Sequence, residues 1–277
     1  MRTLIGLLLA TIMVLAALPV AKAESGTGEL VFGVYPFLSS GQIADRFSPL
    51  RDHLAKQLER PVSMRSAPDF EAFIERTRKG EYDIVFTAPH IGRLAEQREG
   101  YRVLAQTGYS IVIVLLVRKD GPIRKLTDLK GHSLAVGARL SMSYQMVNRA
   151  LESEGLVIGR DVRFVDTTNF SSVFETLIRK EADAGATGTL LWNSAPEEKH
   201  NVLREIWRSQ TVPGFLILAH PRLGWQTLDR IKQSLFDFGN TPVGKAYFEQ
   251  TQQIDFRPID AATLKRIDPY TTVFGKH

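Results

Sequence analysis

Three short segments of the sequence combine hydroxyl, imidazole or free amide groups with an expected helix start. Each follows an expected buried strand: Ala88-Pro89-His90, Leu140-Ser141-Met142-Ser143 and Phe170-Ser171-Ser172. The first turn of a helix has backbone N–H groups without intrahelical partners, and it carries the positive end of the helix dipole. Such a position binds anions without a metal ion. The sequence therefore predicts a site for a small oxyanion near these helix starts.

Ser141 and Ser143 are the main candidates, and Met142 between them is part of the predicted site. A hydroxyl beside several free amides can replace the water molecules that hydrate an oxyanion. The alternative is that one serine only caps its helix, which contributes about 1 kcal/mol. One of the two can cap while the other contacts a ligand, since two hydroxyls are more than a cap requires.

Tyr35, Tyr109 and His90 are further candidates for ligand contact. Tyr35 lies in the loop after the first expected strand, and Tyr109 begins a long apolar segment; packing in the core is the alternative for both rings. His90 can donate or accept a hydrogen bond near neutral pH. Its alternative is a local role, exposed or bonded to nearby backbone. Arg139 is a weaker candidate, because arginine is mostly a surface residue.

Motifs for catalysis, for metal binding and for cofactor binding are missing from the chain. Cysteine is absent, which excludes thiolate metal ligands and cysteine nucleophiles. No G-x-S-x-G, H-E-x-x-H, Walker A or strand-linked G-x-G-x-x-G segment occurs. The run Glu197-Glu198-Lys199-His200 looks like a metal site, but adjacent residues would not all share one helix face, and we expect a solvated loop there. We expect a binding protein with no catalytic residue, no metal site and no cofactor.

The composition is that of a folded chain without a polyanion-binding arm. Its 277 residues are 44% hydrophobic and 23% charged, which allows two lobes with separate cores. Lysine and arginine number 35 against 30 acidic residues, a net charge of +5, and no long run of like charge appears. We therefore expect no nucleic-acid partner.

The first 23 residues have the pattern of a cleavable secretory signal peptide. Arg2 precedes an apolar run from Leu4 to Val20, and Ala21-Lys22-Ala23 supplies the small residues that signal peptidase requires. A membrane anchor is the alternative, but the run is shorter than the about 20 residues that span a bilayer. We expect cleavage after Ala23 and an exported protein.

Strand and helix patterns alternate through the rest of the chain. A proline at the first helical position predicts a helix from Ser48-Pro49 to Leu58. The connections between strands are too long for hairpins, which predicts parallel sheets covered by helices. The expected strands are Glu29–Val34, Val62–Ser66, Asp83–Phe86, Tyr101–Ala105, Tyr109–Val117, Ser133–Val136, Asp161–Val165, Ala184–Thr187 and Phe215–Ala219.

Several short segments occur in a familiar order after the export signal: Gly80-Glu81-Tyr82-Asp83-Ile84-Val85-Phe86, Leu126 to Gly131, and Glu181-Ala182-Asp183-Ala184. In this order the chain resembles type II periplasmic solute-binding proteins, and among them the phosphate/phosphite/phosphonate-binding receptors of ABC transporters. The resemblance implies a monomer of two α/β lobes, each a mainly parallel sheet flanked by helices, with ligand in the cleft. Two crossing strands would join lobe 1 (residues 24–107 and 211–277) to lobe 2 (residues 108–210).

The resemblance also assigns site residues. The family's Ser-Thr-Ser-Gly turn matches Ser141-Met142-Ser143-Tyr144, and its ligand-binding histidine falls at Phe170, beside Ser171. The tyrosine of its Gly-Pro-x-x-Tyr segment falls at Gly92, and no acidic residue follows the Asp183 strand, where Thr187, Gly188 and Thr189 stand. No acid is thus placed for the ammonium group of an aminophosphonate. Together with the candidates chosen by position, the predicted ligand site comprises Tyr35, His90, Tyr109, Ser141, Met142, Ser143, Phe170 and Ser171.

Three functions from different classes are compatible with these residues. The first is a receptor that binds a small oxyanion and delivers it to an inner-membrane ABC permease. The second is a periplasmic sensor subunit that signals to a membrane histidine kinase; it would use the same site residues, so only partner evidence separates the two. The third is an enzyme, which the missing motifs disfavour.

The signal peptide makes a direct prediction. When the full chain is expressed and exported, the mature protein should begin Glu24-Ser25-Gly26, as read by N-terminal sequencing. Ala23→Arg should block cleavage, because signal peptidase requires a small residue there. A wild-type protein that keeps Met1 and stays with the membrane fraction would contradict the prediction.

Overall fold

Two mixed β-sheets, each with helices on its faces, form the protein in the computed structural model, which describes residues 28–167 and 172–271. Strands of the first sheet are β1 (Leu30–Val34), β2 (Val62–Arg65), β3 (Ile84–Thr87), β4 (Arg102–Thr107), β10 (Leu216–Ala219) and β11 (Phe256–Arg257). Strands of the second are β5 (Ile113–Arg118), β6 (Ser133–Val136), β7 (Arg163–Asp166), β8 (Ala184–Gly188) and β9 (Leu203–Arg208). The first sheet has the order β11-β4-β10-β3-β1-β2 and the second the order β7-β6-β8-β5-β9.

The expected two-lobed α/β fold is confirmed, but the sheets are mixed instead of mainly parallel. In the first sheet β1 is parallel to β2 and β3, whereas β10 is antiparallel to β3 and β4. In the second sheet β6 is parallel to β7 and β8, whereas β5 is antiparallel to β8 and β9. The antiparallel pairs arise because β5 and β10 each enter a sheet directly from the other one, without a crossover helix that would reverse the chain.

Ten helices cover the sheets in the described part of the chain. They are α1 (Ser40–Leu58), α2 (Phe70–Arg78), α3 (Pro89–Glu99), α4 (Met142–Ser153), α5 (Ser172–Ile178), α6 (Thr189–Asn193), α7 (Glu197–Val202), α8 (Gly224–Phe238), α9 (Pro242–Thr251) and α10 (Ala261–Lys265). Single 3₁₀ turns occur at Leu126–Leu129, Pro221–Leu223 and Asp268–Tyr270.

Helix α1 begins earlier than the proline pattern predicts. Ser39 caps it and exchanges hydrogen bonds with Gln42, so Pro49 lies in the helix interior and the predicted start at Ser48 is wrong. A proline inside a helix removes one backbone hydrogen bond. Here the helix continues through it because one face is buried from end to end, at Ile43, Phe47, Leu50, Leu54 and Leu58.

Each sheet is buried on both faces. Along β1, Leu30, Phe32 and Val34 pack into one cluster with α1, α8 and α9, while Val31 packs on the other face with α2 and α3. In β5 the alternate residues divide in the same way between two clusters. Burial on both faces explains the nearly continuous apolar runs that marked these strands in the sequence.

The expected strand Tyr109–Val117 is shorter in the structure, because β5 begins only at Ile113. Residues 108–112 instead run between the sheets. There they lie beside residues 209–215, which return from the second sheet to the first. The two crossing segments pair at a single bridge, in which Ile111 and Val212 exchange two N–H···O bonds of 3.0 Å. The apolar run 109–117 therefore corresponds to the end of a crossing segment followed by the strand β5.

The two crossing segments approach so closely that a side chain does not fit between them. A Cβ atom on Gly214 would lie 2.0 Å from the carbonyl oxygen of Tyr109 and 2.1 Å from Oγ1 of Thr107. A third segment runs alongside, because the N–H of Gly108 donates to Asp255 and the N–H of Tyr109 donates to Gln253. Only glycine, which has no side chain, fits where the backbones approach so closely.

The described part of the C-terminal segment contacts both halves of the molecule. Asp268 accepts a hydrogen bond from Nε of Arg93 on α3, over 2.6 Å. Tyr270, two residues later, is buried among core residues of the second sheet and its hydroxyl accepts from Gln210. Residues 268–270 therefore bridge the two layers.

The acidic residues of the motifs Tyr82-Asp83 and Ala182-Asp183 tie strands together. Asp83 accepts a hydrogen bond from the N–H of Val31 over 2.8 Å, which joins the start of β3 to β1. Asp183 accepts from both the N–H and the hydroxyl of Ser133, which joins the start of β8 to β6. The same hydrogen-bonding arrangement thus recurs in both sheets.

No helix within the described ranges is both long enough and apolar enough to cross a bilayer.

The close contact at the crossing predicts that Gly214 does not tolerate a side chain. We expect Gly214→Ala to lower the free energy of unfolding by about 2–4 kcal/mol, since the methyl group would overlap backbone atoms that cannot move apart. Urea denaturation measures this. Gly41→Ala is the matched control, because a Cβ there meets nothing within 4 Å. Equal stability of the two variants would refute the close approach.

Candidate functional site

A cavity of about 390 Å³ lies between the two sheets, beside the crossing segments. Ligand sites favour such interfaces between lobes. Another cavity in the described structure, about 430 Å³ between α8, α9 and β11, is lined by one half of the molecule only. The inter-sheet cavity is lined by Tyr35, Phe37, Arg46, Phe70, Ala88, Tyr109, Ile111, Ile113, Ser141, Met142, Ser143, Gly188, Leu190, Leu191, Phe215, Gln250, Thr251, Gln252 and Gln253.

The two serines form one hydrogen-bonded turn at the start of α4. Ser141 is the N-cap and its Oγ accepts from the N–H of Tyr144 over 3.2 Å. The hydroxyl oxygens of Ser141 and Ser143 lie 3.0 Å apart, and both residues line the cavity while being nearly inaccessible from outside. Ser141 therefore caps the helix, and Ser143 remains the predicted ligand contact.

Backbone donors accompany these hydroxyls. In the first turn of α4, the N–H of Tyr144 bonds to the cap and the N–H of Gln145 bonds to the carbonyl of Ser141. The N–H groups of Met142 and Ser143 precede them, at positions where a helix supplies no carbonyl partner. The positive end of the α4 dipole lies at the same point. The turn thus offers two amides and a hydroxyl to an anion.

Tyr35 brings a phenol group to the wall of the cavity. Its ring stacks on Phe70 with centroids 4.4 Å apart and meets Phe73 edge to face. Its hydroxyl is buried and has no hydrogen-bond partner among the described residues. Burial raises the pKa of Tyr35 well above its ordinary value, so the hydroxyl keeps its proton. A buried donor of this kind is satisfied by water or by a ligand.

Tyr109 lines the cavity from the crossing segment. Its hydroxyl contacts Thr189 and the backbone of Leu190 at the start of α6, and its pKa is raised by burial. The ring thus fixes the first turn of α6 against the crossing. Leu190 and Leu191 of that helix line the cavity next to it.

His90 lies behind the wall, so the structure does not place it as a ligand contact. Its ring is fully buried, and Nε2 is 2.9 Å from the carbonyl oxygen of Leu140, the residue before the serine turn. Burial lowers the pKa of His90 to about 4. The imidazole is therefore neutral at physiological pH and donates its Nε2 proton to Leu140, which is the backbone-bonded alternative.

Arg139 also faces away from the cavity lining. Its guanidinium lies over the ring of Phe164, 4.8 Å from the centroid, and donates to the hydroxyl of Tyr144. It supports the outer face of α4. Phe170 and Ser171, the remaining predicted contacts, lie outside the described residues.

Arg46 lines the cavity and was missed by the sequence prediction. It is the one charged residue in the lining, and it forms no ion pair within the described ranges. It was overlooked because the predicted helix start at Ser48 put Arg46 in a loop. The signal that could have found it is the capping pair Ser39 and Gln42, which places residue 46 in the second turn of α1.

The end of α9 was missed as well. Gln250, Thr251, Gln252 and Gln253 line the cavity although they lie far along the chain from the serine turn. Gln252 has a left-handed backbone, with φ of 57°, which ends α9 there. The side-chain oxygen of Gln253 accepts from the hydroxyl of Tyr247. No local pattern in the sequence announced these contacts.

One departure from the family pattern has a structural cause, and a second is visible in the cavity lining. A Cβ on Gly92 would lie 2.9 Å from a methyl group of Leu218, so α3 packs on β10 with no space for a tyrosine. No carboxylate occurs among the described residues that line the cavity. Among the residues that the structure describes, no cluster of three histidine or acidic side chains could hold a metal ion.

The site therefore combines donors with one positive charge. Ser143, the amides of the α4 turn, Tyr35 and Arg46 all offer hydrogen atoms, whereas no lining residue carries a negative charge. Donors at a helix start with a guanidinium nearby stabilise an oxyanion. The arrangement has no nucleophile paired with a base.

Comparisons with known proteins agree with this geometry. A family described as "ABC transporter, phosphonate, periplasmic substrate-binding protein" matches residues 32–264. The phosphonates-binding periplasmic protein of Escherichia coli K12 is 27% identical over an alignment of 253 residues, and the match covers 86% of this chain and 74% of that protein.

Solved structures show the same fold. A Xanthomonas citri protein bound to ATP superposes with a TM-score of 0.78 at 21% identity, over 88% of this chain and 96% of that one. PhnD1 of Prochlorococcus marinus in complex with methylphosphonate superposes with a TM-score of 0.75 at 19% identity, over 91% of this chain and all of that one (100%).

Burial of His90 predicts a pH dependence of stability. An unfolded histidine has a pKa of about 6.5, and the folded pKa is about 4. Between these values the unfolded state binds more protons, so acidification destabilises the fold, by about 3 kcal/mol once the pH falls below both. Above about pH 7 the contribution is fully present.

His90→Gln keeps a donor for Leu140 but cannot titrate. We expect the difference in unfolding free energy between wild type and this variant to shift by about 2–3 kcal/mol, in favour of the variant, between about pH 7.5 and pH 4.5. Urea denaturation across this range measures it. A difference that does not change with pH would contradict the burial of a neutral imidazole.

Proposed function

The chain belongs to the family of periplasmic substrate-binding proteins of phosphonate ABC transporters, and from this premise we propose that its inter-sheet cavity binds a small phosphonate-like oxyanion. Proteins of this family are binding components of transporters and not enzymes. The chain is accordingly the substrate-binding component of an ABC transporter. The alternative of a sensor subunit for a histidine kinase is not favoured.

One observation supports the proposed ligand above the others. The cavity that the serine turn at the start of α4 lines also carries Arg46, and no acidic residue occurs among its described lining residues. In this proposal the anion's oxygens accept hydrogen bonds from Ser143, from the amides of Met142 and Ser143 and from Tyr35. Arg46 supplies the balancing charge, and hydrogen bonds that involve a charged partner are the stronger ones.

The proposed ligand contacts come from both halves of the molecule. Tyr35 and Arg46 belong to the first sheet and its helices, whereas Ser143 belongs to α4 on the second. We propose the lobe boundaries 24–107 with 211–277, and 108–210, with the crossing segments as the hinge. A ligand that contacts both lobes shifts the population toward the closed form, which would present it to the inner-membrane permease.

The proposed cellular context follows from the family. Its members are periplasmic, and we propose that residues 1–23 are the signal that exports this chain and are removed after Ala23. We further propose that the mature protein acts as a monomer. Size-exclusion chromatography with light scattering checks the monomer.

A ligand screen tests the proposal. Mature protein, refolded to remove bound ligand, is heated with methylphosphonate, phosphite, phosphate, sulfate, ATP, and neutral and cationic solutes. A true ligand at about 100 times its Kd adds about 2.7 kcal/mol of stability, which raises the Tm by several degrees at this chain length. We expect methylphosphonate or phosphite to give the shift.

Two variants locate the binding. Ser143→Ala and Arg46→Gln should each weaken binding about tenfold or more, as measured by calorimetry, because each removes a hydrogen bond to a charged ligand. Ser234→Ala and Arg51→Gln are matched controls, since Ser234 is a buried serine on α8 and Arg51 an arginine of α1 that pairs with Asp52. Silence of every anion, with a shift by a neutral or cationic solute, would overturn the proposal.

A further inference from the structure

The cavity has more apolar wall than an oxyanion needs. The groups that face an anion are few, namely Ser143, Tyr35, Arg46 and the α4 amides. The remaining lining divides into a polar end, residues 250–253, and an apolar wall that includes Phe37, Phe215, Ile111, Ile113, Leu190 and Leu191. Binding the phosphonate head alone would leave these side chains against water, at a cost that scales with their apolar area.

We propose that the cavity selects phosphonates whose substituent is apolar and uncharged, over inorganic anions and over phosphonates that carry an ammonium group. This inference rests on the proposed function, since it takes the oxyanion head as bound at the serine turn. It adds the second half of the ligand. The apolar residues of the cavity wall would distinguish one phosphonate from another.

The volume of the cavity supports a substituent. About 390 Å³ is available, enough for roughly a dozen water molecules at their share of liquid volume of about 30 Å³ each. A group of one phosphorus and three oxygens fills a small part of it. Replacing poorly ordered water along an apolar wall by a hydrocarbon chain is favourable.

The wall is already in place for such a chain. The ring of Phe37 lies against Phe215 with centroids 4.9 Å apart, and Phe215 stacks on Phe86 at 5.1 Å. Packed rings do not have to be ordered by the ligand, which removes one cost of binding. Leu191 of α6, which lines the same cavity, is 36% exposed, so a hydrocarbon substituent would cover apolar surface that is otherwise wet.

The charges of the cavity exclude an ammonium group. Arg46 is the charged residue of the lining, and no carboxylate accompanies it. An ammonium group on the substituent would lose its hydration without gaining an acidic partner, and the guanidinium would repel it. Aromatic rings offer a cation only about 0.5–1 kcal/mol at exposed sites, less than a desolvated ammonium requires.

A series of alkylphosphonates tests the inference by calorimetry on the refolded mature protein. From methyl- through ethyl- and propyl- to butylphosphonate, each added methylene should tighten binding about three- to fourfold until the chain fills the cavity. The decisive pair is n-propylphosphonate and 2-aminoethylphosphonate, which differ only in a terminal methyl or ammonium group. We expect the propyl compound to bind at least tenfold more tightly.

A wall variant reports on the same pair. Leu191→Asp adds a carboxylate to the cavity, and it should shift the propyl-to-aminoethyl affinity ratio at least tenfold toward the aminoethyl compound. Val202→Asp, at an exposed apolar residue of α7 away from the cavity, should leave the ratio unchanged. A ratio is insensitive to a general loss of stability, so the comparison holds even if Leu191→Asp is less stable.

The outcomes separate the inference from the proposed function. If no phosphonate binds, the proposed function fails and the inference fails with it. If methylphosphonate binds but the series is flat, the apolar wall does not contact the ligand and the inference alone fails. The inference alone also fails if 2-aminoethylphosphonate binds as tightly as its propyl partner, or if the ratio ignores Leu191→Asp.

Discussion

The contact between the two crossing segments is the constraint on which the rest of the structure depends. The backbone at Gly214 runs against Tyr109 and Thr107 with no space for a side chain, so the two halves meet at a fixed point. The strands on either side must then enter their sheets from the crossing. This makes β5 and β10 antiparallel to their neighbours, and it places the inter-sheet cavity beside the crossing segments.

The proposed anion site carries little charge. A carboxylate-free lining lowers competition for the donors at the start of α4, and a single guanidinium avoids the self-repulsion that several cations would bring. Most of the stabilisation then comes from dipoles held by the fold, which are already oriented before a ligand arrives. His90 contributes indirectly, because its neutral ring holds the carbonyl of Leu140 just before the serine turn.

The parts of the fold and of the candidate site that could be predicted are those encoded by short, local sequence patterns. The cap at Ser141 and the strand Ser133–Val136 follow from short patterns, and the structure has both. The fold class followed from the alternation of strands and helices. Arg46 was missed because a proline at residue 49 outweighed the weaker capping pair ten residues earlier. The Gln250–Gln253 wall and the antiparallel strands could not be predicted, since both depend on contacts between distant parts of the chain.

The C-terminal bridge has a mechanical consequence for the hinge. Asp268 is held by Arg93 in one half while Tyr270 is inserted into the core of the other. Separation of the two halves must either break the bond between Arg93 and Asp268 or pull Tyr270 out of the core. Removing a large buried side chain leaves a void, which costs about 3–5 kcal/mol. The segment therefore resists any separation of the two halves.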